Sequence, residues 1–174
     1  GSLKDAKKIG GLRGLYLHYC YKLGILPKKK QQNYARLHYL LKDDLLKMDA
    51  ITNETRLLCR NHIDTAEQLL SYKGSLESEM QELTEQRKGL YSQSRKSVGK
   101  ETPCGDTSMP CGNNKEKEAV KARLSEITER MKTLRKEVRL CEGIEARSDA
   151  LKEKLTVIRA DEKEQQRKEL MKHE

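Results

Sequence analysis

Five cysteines, four histidines and a group of tyrosines set among lysines are the residues of this chain whose types could carry chemistry. Cys104 and Cys111 share a Gly- and Pro-rich stretch and could form half of a metal site. Zinc takes four ligands, usually in paired short spacings, and neither a Cys-x-x-Cys nor a nearby His completes the set. Cys20, Cys59 and Cys141 are the other thiols; the total is odd, so at least one stays unpaired within a chain, and a reducing compartment would keep them all reduced. His18, His38, His62 and His173 are scattered singly, and His18 is expected on the solvated side of its helix, opposite the apolar stripe. The sequence holds no Gly-x-x-x-x-Gly-Lys-Ser/Thr phosphate cradle and no Gly-x-Ser-x-Gly nucleophile elbow. The expectation is therefore a chain with no catalytic residue, no metal and no cofactor.

The chemistry that the residue types do suggest is recognition of a polyanion. Residues 1–30 hold Lys4, Lys7, Lys8, Arg13, Lys22, Lys28, Lys29 and Lys30 against Asp5 alone, so +7 of the total +9 lies there. Five of the seven tyrosines, Tyr16, Tyr19, Tyr21, Tyr34 and Tyr39, fall within the first 39 residues. Lysine and arginine neutralise phosphate and a tyrosine ring stacks on an exposed base, so this interleaving suits nucleic acid. The candidate DNA-binding residues are Lys7, Lys8, Arg13, Tyr21, Lys22, Lys28, Lys29 and Lys30. Helical spacing puts Tyr16, Tyr19 and Tyr34 on apolar stripes as an aromatic core. Tyr21 and Tyr39 point away, toward either a second packing face or a ligand, and Lys28-Lys29-Lys30 also reads as a plain solvated loop.

What must position these residues is a set of helices. Of the 174 residues, 36% are charged and 35% hydrophobic, with no Phe or Trp. An average soluble domain is roughly 45–50% apolar, so long solvated helices are favoured over a deep core. No stretch approaches the roughly 18 consecutive apolar residues of a membrane span, and no signal peptide is visible, so a soluble, cytoplasmic protein without membrane contact is expected. Gly1-Ser2 in place of an initiator Met reads as a cleavage scar on a piece of something longer. Ile9, Leu12, Tyr16, Tyr19, Cys20 and Leu23 recur at helical spacing, with a stop at Gly24 and Pro27. Tyr34, Leu37, Leu41, Leu45 and Met48 predict a second helix ending near Asp49.

From Asn53 the pattern becomes a heptad, with Leu69, Leu76, Leu83 and Leu90 seven apart and polar Lys73 and Arg87 at companion positions. Val120, Leu124, Ile127, Met131, Leu134, Val138 and Cys141 form a second heptad. An antiparallel pair keeps the sum of facing residue numbers constant, and Leu90 with Val120, Leu83 with Ile127, Leu76 with Leu134 and Leu69 with Cys141 all give 210. Beyond Cys141 a step of three replaces a step of four at Ile144, a stammer that also contains Gly143. The same register puts Asn53 opposite about Val157. The fold class expected is all-α, two short helices packed at the base of a long antiparallel coiled-coil helical hairpin. Its divisions are 1–10, scar and basic arm; 11–52, two-helix base; 53–96, first hairpin helix; 97–114, flexible Gly/Pro/Cys loop; 115–160, second hairpin helix; and 161–174, polar C-terminal tail.

The run from Gly11 to Gly24, GLRGLYLHYCYKLG, resembles the C-terminal region of relaxases, the mobilisation nucleases of bacterial conjugative elements. So do Arg36 to Leu45 (RLHYLLKDDL), Thr55 to Arg60 (TRLLCR) and Thr133 to Cys141 (TLRKEVRLC). The resemblance implies a parent enzyme that nicks one DNA strand at a transfer origin through a Tyr nucleophile and a metal held by a His cluster. Those elements belong to the family's N-terminal domain, and nothing here matches the His-hydrophobe-His motif. The implied role is a non-catalytic accessory module that binds transfer-origin DNA or docks a relaxosome or transfer-machinery protein. A coiled-coil interaction or homodimerisation module without DNA binding is the alternative.

Overall fold

In the computed structural model, which describes residues 9–27, 39–98 and 113–173, the chain is all-α. The described residues form α1 (Gly11–Leu23), α2 (Lys42–Leu45), α3 (Met48–Arg60), α4 (Ala66–Val98) and α5 (Asn113–Lys172), with no strand. They divide into two compact units, the first from residues 1–71 and 139–174, the second from 72–138.

In the first unit, α1 buries Leu12, Tyr16, Tyr19, Cys20 and Leu23 of the stripe expected from spacing, while Ile9, which precedes the helix, is exposed. It ends where Gly24 takes φ 79°, a left-handed residue that lets Ile25 N–H reach the Cys20 carbonyl at 3.0 Å and Gly24 N–H the Tyr21 carbonyl at 3.4 Å. α3 is strongly amphipathic, burying Ile51, Glu54, Thr55, Leu57 and Leu58. The seam residues Leu69, Cys141, Ile144, Leu151, Leu155 and Ile158 complete this core.

Three boundaries differ from the sequence reading. The helix expected to end near Asp49 is interrupted after Leu40: α2 is one short turn, Leu46 and Lys47 turn the chain, and α3 starts afresh at Met48. The bend buries Asp44 and leaves Leu46 in solvent, which a straight helix carrying Leu41, Leu45 and Met48 on one stripe would not require. Next, residues 53–96 are two helices instead of one. α3 closes with His62 at φ 52°, Ile63 N–H bonding the Leu58 carbonyl at 3.0 Å and His62 N–H the Cys59 carbonyl at 3.4 Å. α4 then opens on a capping box, with Thr65 Oγ1 accepting Gln68 N–H at 3.2 Å and Gln68 Oε1 accepting Thr65 N–H at 3.3 Å.

The third difference lies at the end of the chain. Residues from Asp161 onward were expected to be an unpartnered tail, but α5 runs unbroken to Lys172 and Glu162 receives a salt bridge from Lys22. The register assumed for that tail fails for the same reason as the helix boundary. Because the chain turns at residues 61–65, α3 does not continue the line of α4. Glu54 therefore meets Arg147 and Gly143, about two and a half and three and a half helical turns from the Thr156 that a continuous register would place opposite it.

The second unit is an antiparallel pair cut from α4 and α5. Tyr72 donates to Glu137 at 3.0 Å, and seven residues on, Glu79 takes a two-pronged bond from Arg130 at 2.6 and 2.9 Å. Ascending numbers on one helix meet descending numbers on the other, in a register within one residue of that expected. Leu76, Ile127, Met131, Leu134 and Val138 are buried, while Leu83, Leu90, Leu124 and Val120 are only half-buried. Burial of the seam thus thins toward the last turns of α4 and the first turns of α5. The loop expected at 97–114 lies almost wholly outside the described residues.

Candidate nucleic-acid interface

Arg13 projects from the first turn of α1 to the turn between α3 and α4. Its Nε meets Asp64 Oδ1 at 2.5 Å and Nη2 meets Oδ2 at 2.8 Å, with His62 Nδ1 3.0 Å from Nη1. The Asp64 carbonyl meanwhile accepts the Leu12 N–H at 2.7 Å. A Cβ on Gly11, which has φ 63°, would collide with that carbonyl, so glycine is required for this close approach. The hydrogen bond to Asp64, reinforced by its charge, raises the Arg13 pKa despite some desolvation. A fork used in this way is a structural clasp, and Arg13 leaves the candidate DNA-binding set.

Lys22 leaves it too. Its side chain is only 4% exposed and bonds Glu162. Lys22 is a candidate as one of the cations of residues 1–30, and its partner Glu162 lies in the stretch that the sequence reading leaves as an unpartnered tail. Tyr21, 37% exposed, keeps a solvent face, as expected. Lys7, Lys8, Lys28, Lys29 and Lys30 lie outside the described residues. Tyr16 and Tyr19 are the aromatic core foreseen, and Tyr34 lies outside the described residues. His18 is half-buried, more enclosed than the solvated face assigned to it.

The core also holds two carboxylates that the spacing argument did not single out. Tyr16 Oη donates to Glu54 Oε2 at 2.9 Å and Arg147 Nη1 to Glu54 Oε1 at 2.5 Å. Burial pushes the Glu54 carboxyl above its ordinary 4.5, outweighing the opposing pull of Tyr16 and Arg147. Asp44 accepts from Tyr19 and from Lys154. Burial pushes Asp44 up as well, but the bonds from Lys154 and Tyr19 together win and hold it below its ordinary 3.8. Both phenols are driven up, first by burial and then by the carboxylates beside them. Perturbed carboxylates beside tyrosines can mark acid–base sites, but Glu54, Asp44, Tyr16 and Tyr19 are all sealed from solvent, so these pairs hold helices together. Cys20 is sealed among them, 3.2 Å from the Thr55 hydroxyl, and burial pushes its thiol up, away from reactive thiolate. Among the described residues no group of three His, Cys, Asp or Glu could hold a metal ion; Cys104 and Cys111 lie outside them.

A surface groove of about 450 Å³ in the first unit is lined by Leu12, Leu70 and Lys152 and by the acids Asp64, Glu145 and Asp149, the wrong charge for phosphate. The second unit carries a basic cluster that the sequence reading missed. On α4, Glu77, Glu79, Glu82 and Glu85 give way from Arg87 to Lys96 to Arg87, Lys88, Arg95 and Lys96 with no acid. The antiparallel register brings Lys115, Lys117 and Lys121 of α5, interleaved with Glu116 and Glu118, to the same end. Counting charge over 144 residues as one nearly neutral body averaged the acidic and basic stretches of α4 away; a count along that helix alone separates them. Compared with protein-family models, curated proteins and solved structures, the chain matches none.

Proposed function

We propose that the chain is a non-catalytic accessory module of a DNA relaxase in conjugative transfer, acting in the cytoplasm by binding transfer-origin DNA. The observation that carries this reading is the +7 charge of residues 1–30, where the relaxase-like run also begins. With Arg13 and Lys22 committed to internal pairs, the contacts fall to Lys7, Lys8, Lys28, Lys29 and Lys30, with Tyr21 as the stacking ring. Titrating labelled duplex DNA against the chain at increasing salt tests it. Binding should weaken steeply, and K28Q/K29Q/K30Q should flatten the slope by about 0.9 for each phosphate that is no longer neutralised. An unchanged slope removes those lysines from the footprint, and no binding at low salt overturns the reading.

A second reading, a protein-docking or homodimerisation module, draws on Tyr39 and Leu46, which are 83% and 89% exposed. Such apolar side chains beside a buried core suit a relaxosome or transfer-machinery partner. Sedimentation with and without DNA separates the two: a species that ignores DNA yet self-associates or captures a transfer-machinery protein favours the second.

A further inference from the structure

The basic cluster of the second unit has no internal use for most of its charge. Arg95, Lys96, Lys115, Lys117 and Lys121 are exposed, whereas nearby Lys88 pairs with Glu85 and Arg123 with Glu126. Between the two helices at this end runs a groove of about 530 Å³ lined by Gln93, Ser94, Lys96, Glu116, Lys117 and Val120, so one carboxylate stands beside its two lysines. A second hollow of about 270 Å³ shares Gln93 with it and is lined by Gln86, Gly89, Leu90 and Arg123. A Cβ placed on Gly89 would meet nothing within 4 Å, so the hollow is open there down to the helix backbone. Tyr91 of the same stretch of α4 stands 47% exposed without lining either hollow, with the Arg87 guanidinium 5.6 Å from its ring centroid.

We propose that this end of the second unit is a binding site for single-stranded DNA, with the lysines and Arg95 along the phosphates and Tyr91 stacking on a base. The inference deepens the DNA-binding reading above and rests on it. Cations for phosphate, amide and hydroxyl groups in the groove for sugar and base edges, and an aromatic platform backed by arginine together meet the needs of an unpaired strand. An acidic membrane surface would supply the same anions. It would also call for an apolar wedge, and Tyr91 is the one large hydrophobic side chain exposed among the described residues of this unit.

The test uses the full chain and a fluorescein-labelled oligo-dT, with affinity measured across a salt series. R95Q/K96Q/K117Q/K121Q should lower the salt slope by about 0.7 for each phosphate left without its cation, and Y91A should weaken binding roughly tenfold while leaving the slope alone. All five side chains are exposed, so helicity by circular dichroism should be unchanged. If wild type binds and both variants match it in slope and affinity, the inference fails while the relaxase reading survives through Lys28, Lys29 and Lys30. If wild type binds neither this strand nor duplex DNA, both fail. Binding to phosphatidylserine vesicles without binding to the oligonucleotide also overturns the assignment.

Discussion

Two buried carboxylates in one core respond to acid in opposite directions. Asp44, facing Tyr19, Lys154 and Lys47, has its pKa lowered, so its contribution to stability is present above about pH 3.8 and is lost as pH falls through the lower folded value. Glu54, facing Tyr16 and Arg147, has its pKa raised, so its contribution is complete below about pH 4.5 and is lost as pH rises through the higher folded value. Urea unfolding between pH 3 and 7 should therefore show the stability gap between wild type and Asp44→Asn closing toward acid, while the gap to Glu54→Gln shifts in favour of wild type. Parallel trends would refute the assignment. The glycines make a second contrast. A Cβ at Gly143 would lie 2.5 Å from Glu54 Oε1, whereas at Gly89 it would meet nothing. Gly143→Ala should destabilise by about 1–3 kcal/mol through crowding of a buried ion pair, and Gly89→Ala should stabilise by up to about 1 kcal/mol through helix propensity. Thermal melts showing the same sign for both would contradict this account.

At the scale of the helices, the heptad is the feature that the sequence displayed most openly. Leu76 and Leu134 are both buried, so Leu76→Asp should cost several kcal/mol, combining lost burial with a charge in an apolar seam. Glu77 is exposed, and its replacement by Gln should change the unfolding midpoint by less than about 0.5 kcal/mol equivalent. A cysteine pair at 76 and 134 that crosslinks less readily than 76 with 127 or 141 would shift the register by a heptad. The legible parts were those written as repetition: the α1 stripe, the second-unit seam and the facing residue numbers. What stayed hidden was punctuation. Thr65 and Gln68 spell a capping box that marks the start of α4, but apolar periodicity carries across residues 61–65 and conceals it. His62 occupies a left-handed position usually given to glycine, so the end of α3 had no glycine to announce it. The candidate site suffered most from this. Asp64, which takes Arg13 out of solution, sits inside that hidden turn.

For the molecule as a whole, the pairs that span the longest stretches of sequence decide which cations remain available to a ligand. Lys22 and Glu162 are 140 residues apart, Asp44 and Lys154 are 110, and no local pattern can show that such residues meet. A chain ending at Ala160 should lose about 1–3 kcal/mol, because Lys22 would be left buried without its carboxylate; the loss is moderated because Glu162 itself is 45% exposed. Adding Lys22→Met should recover most of it in chemical denaturation, and failure to recover would mean that the closing turns of α5 contribute by packing instead. The same long pairs set an order of events at the ribosome. Synthesis proceeds at about 5–20 residues per second, so Tyr16, Tyr19 and Lys22 emerge several seconds before Arg147, Lys154 and Glu162 can neutralise or satisfy the groups around them. The second unit draws on one uninterrupted stretch and can zip as soon as residue 138 is out, while the opening helices wait, exposed, for the far end of α5 to arrive.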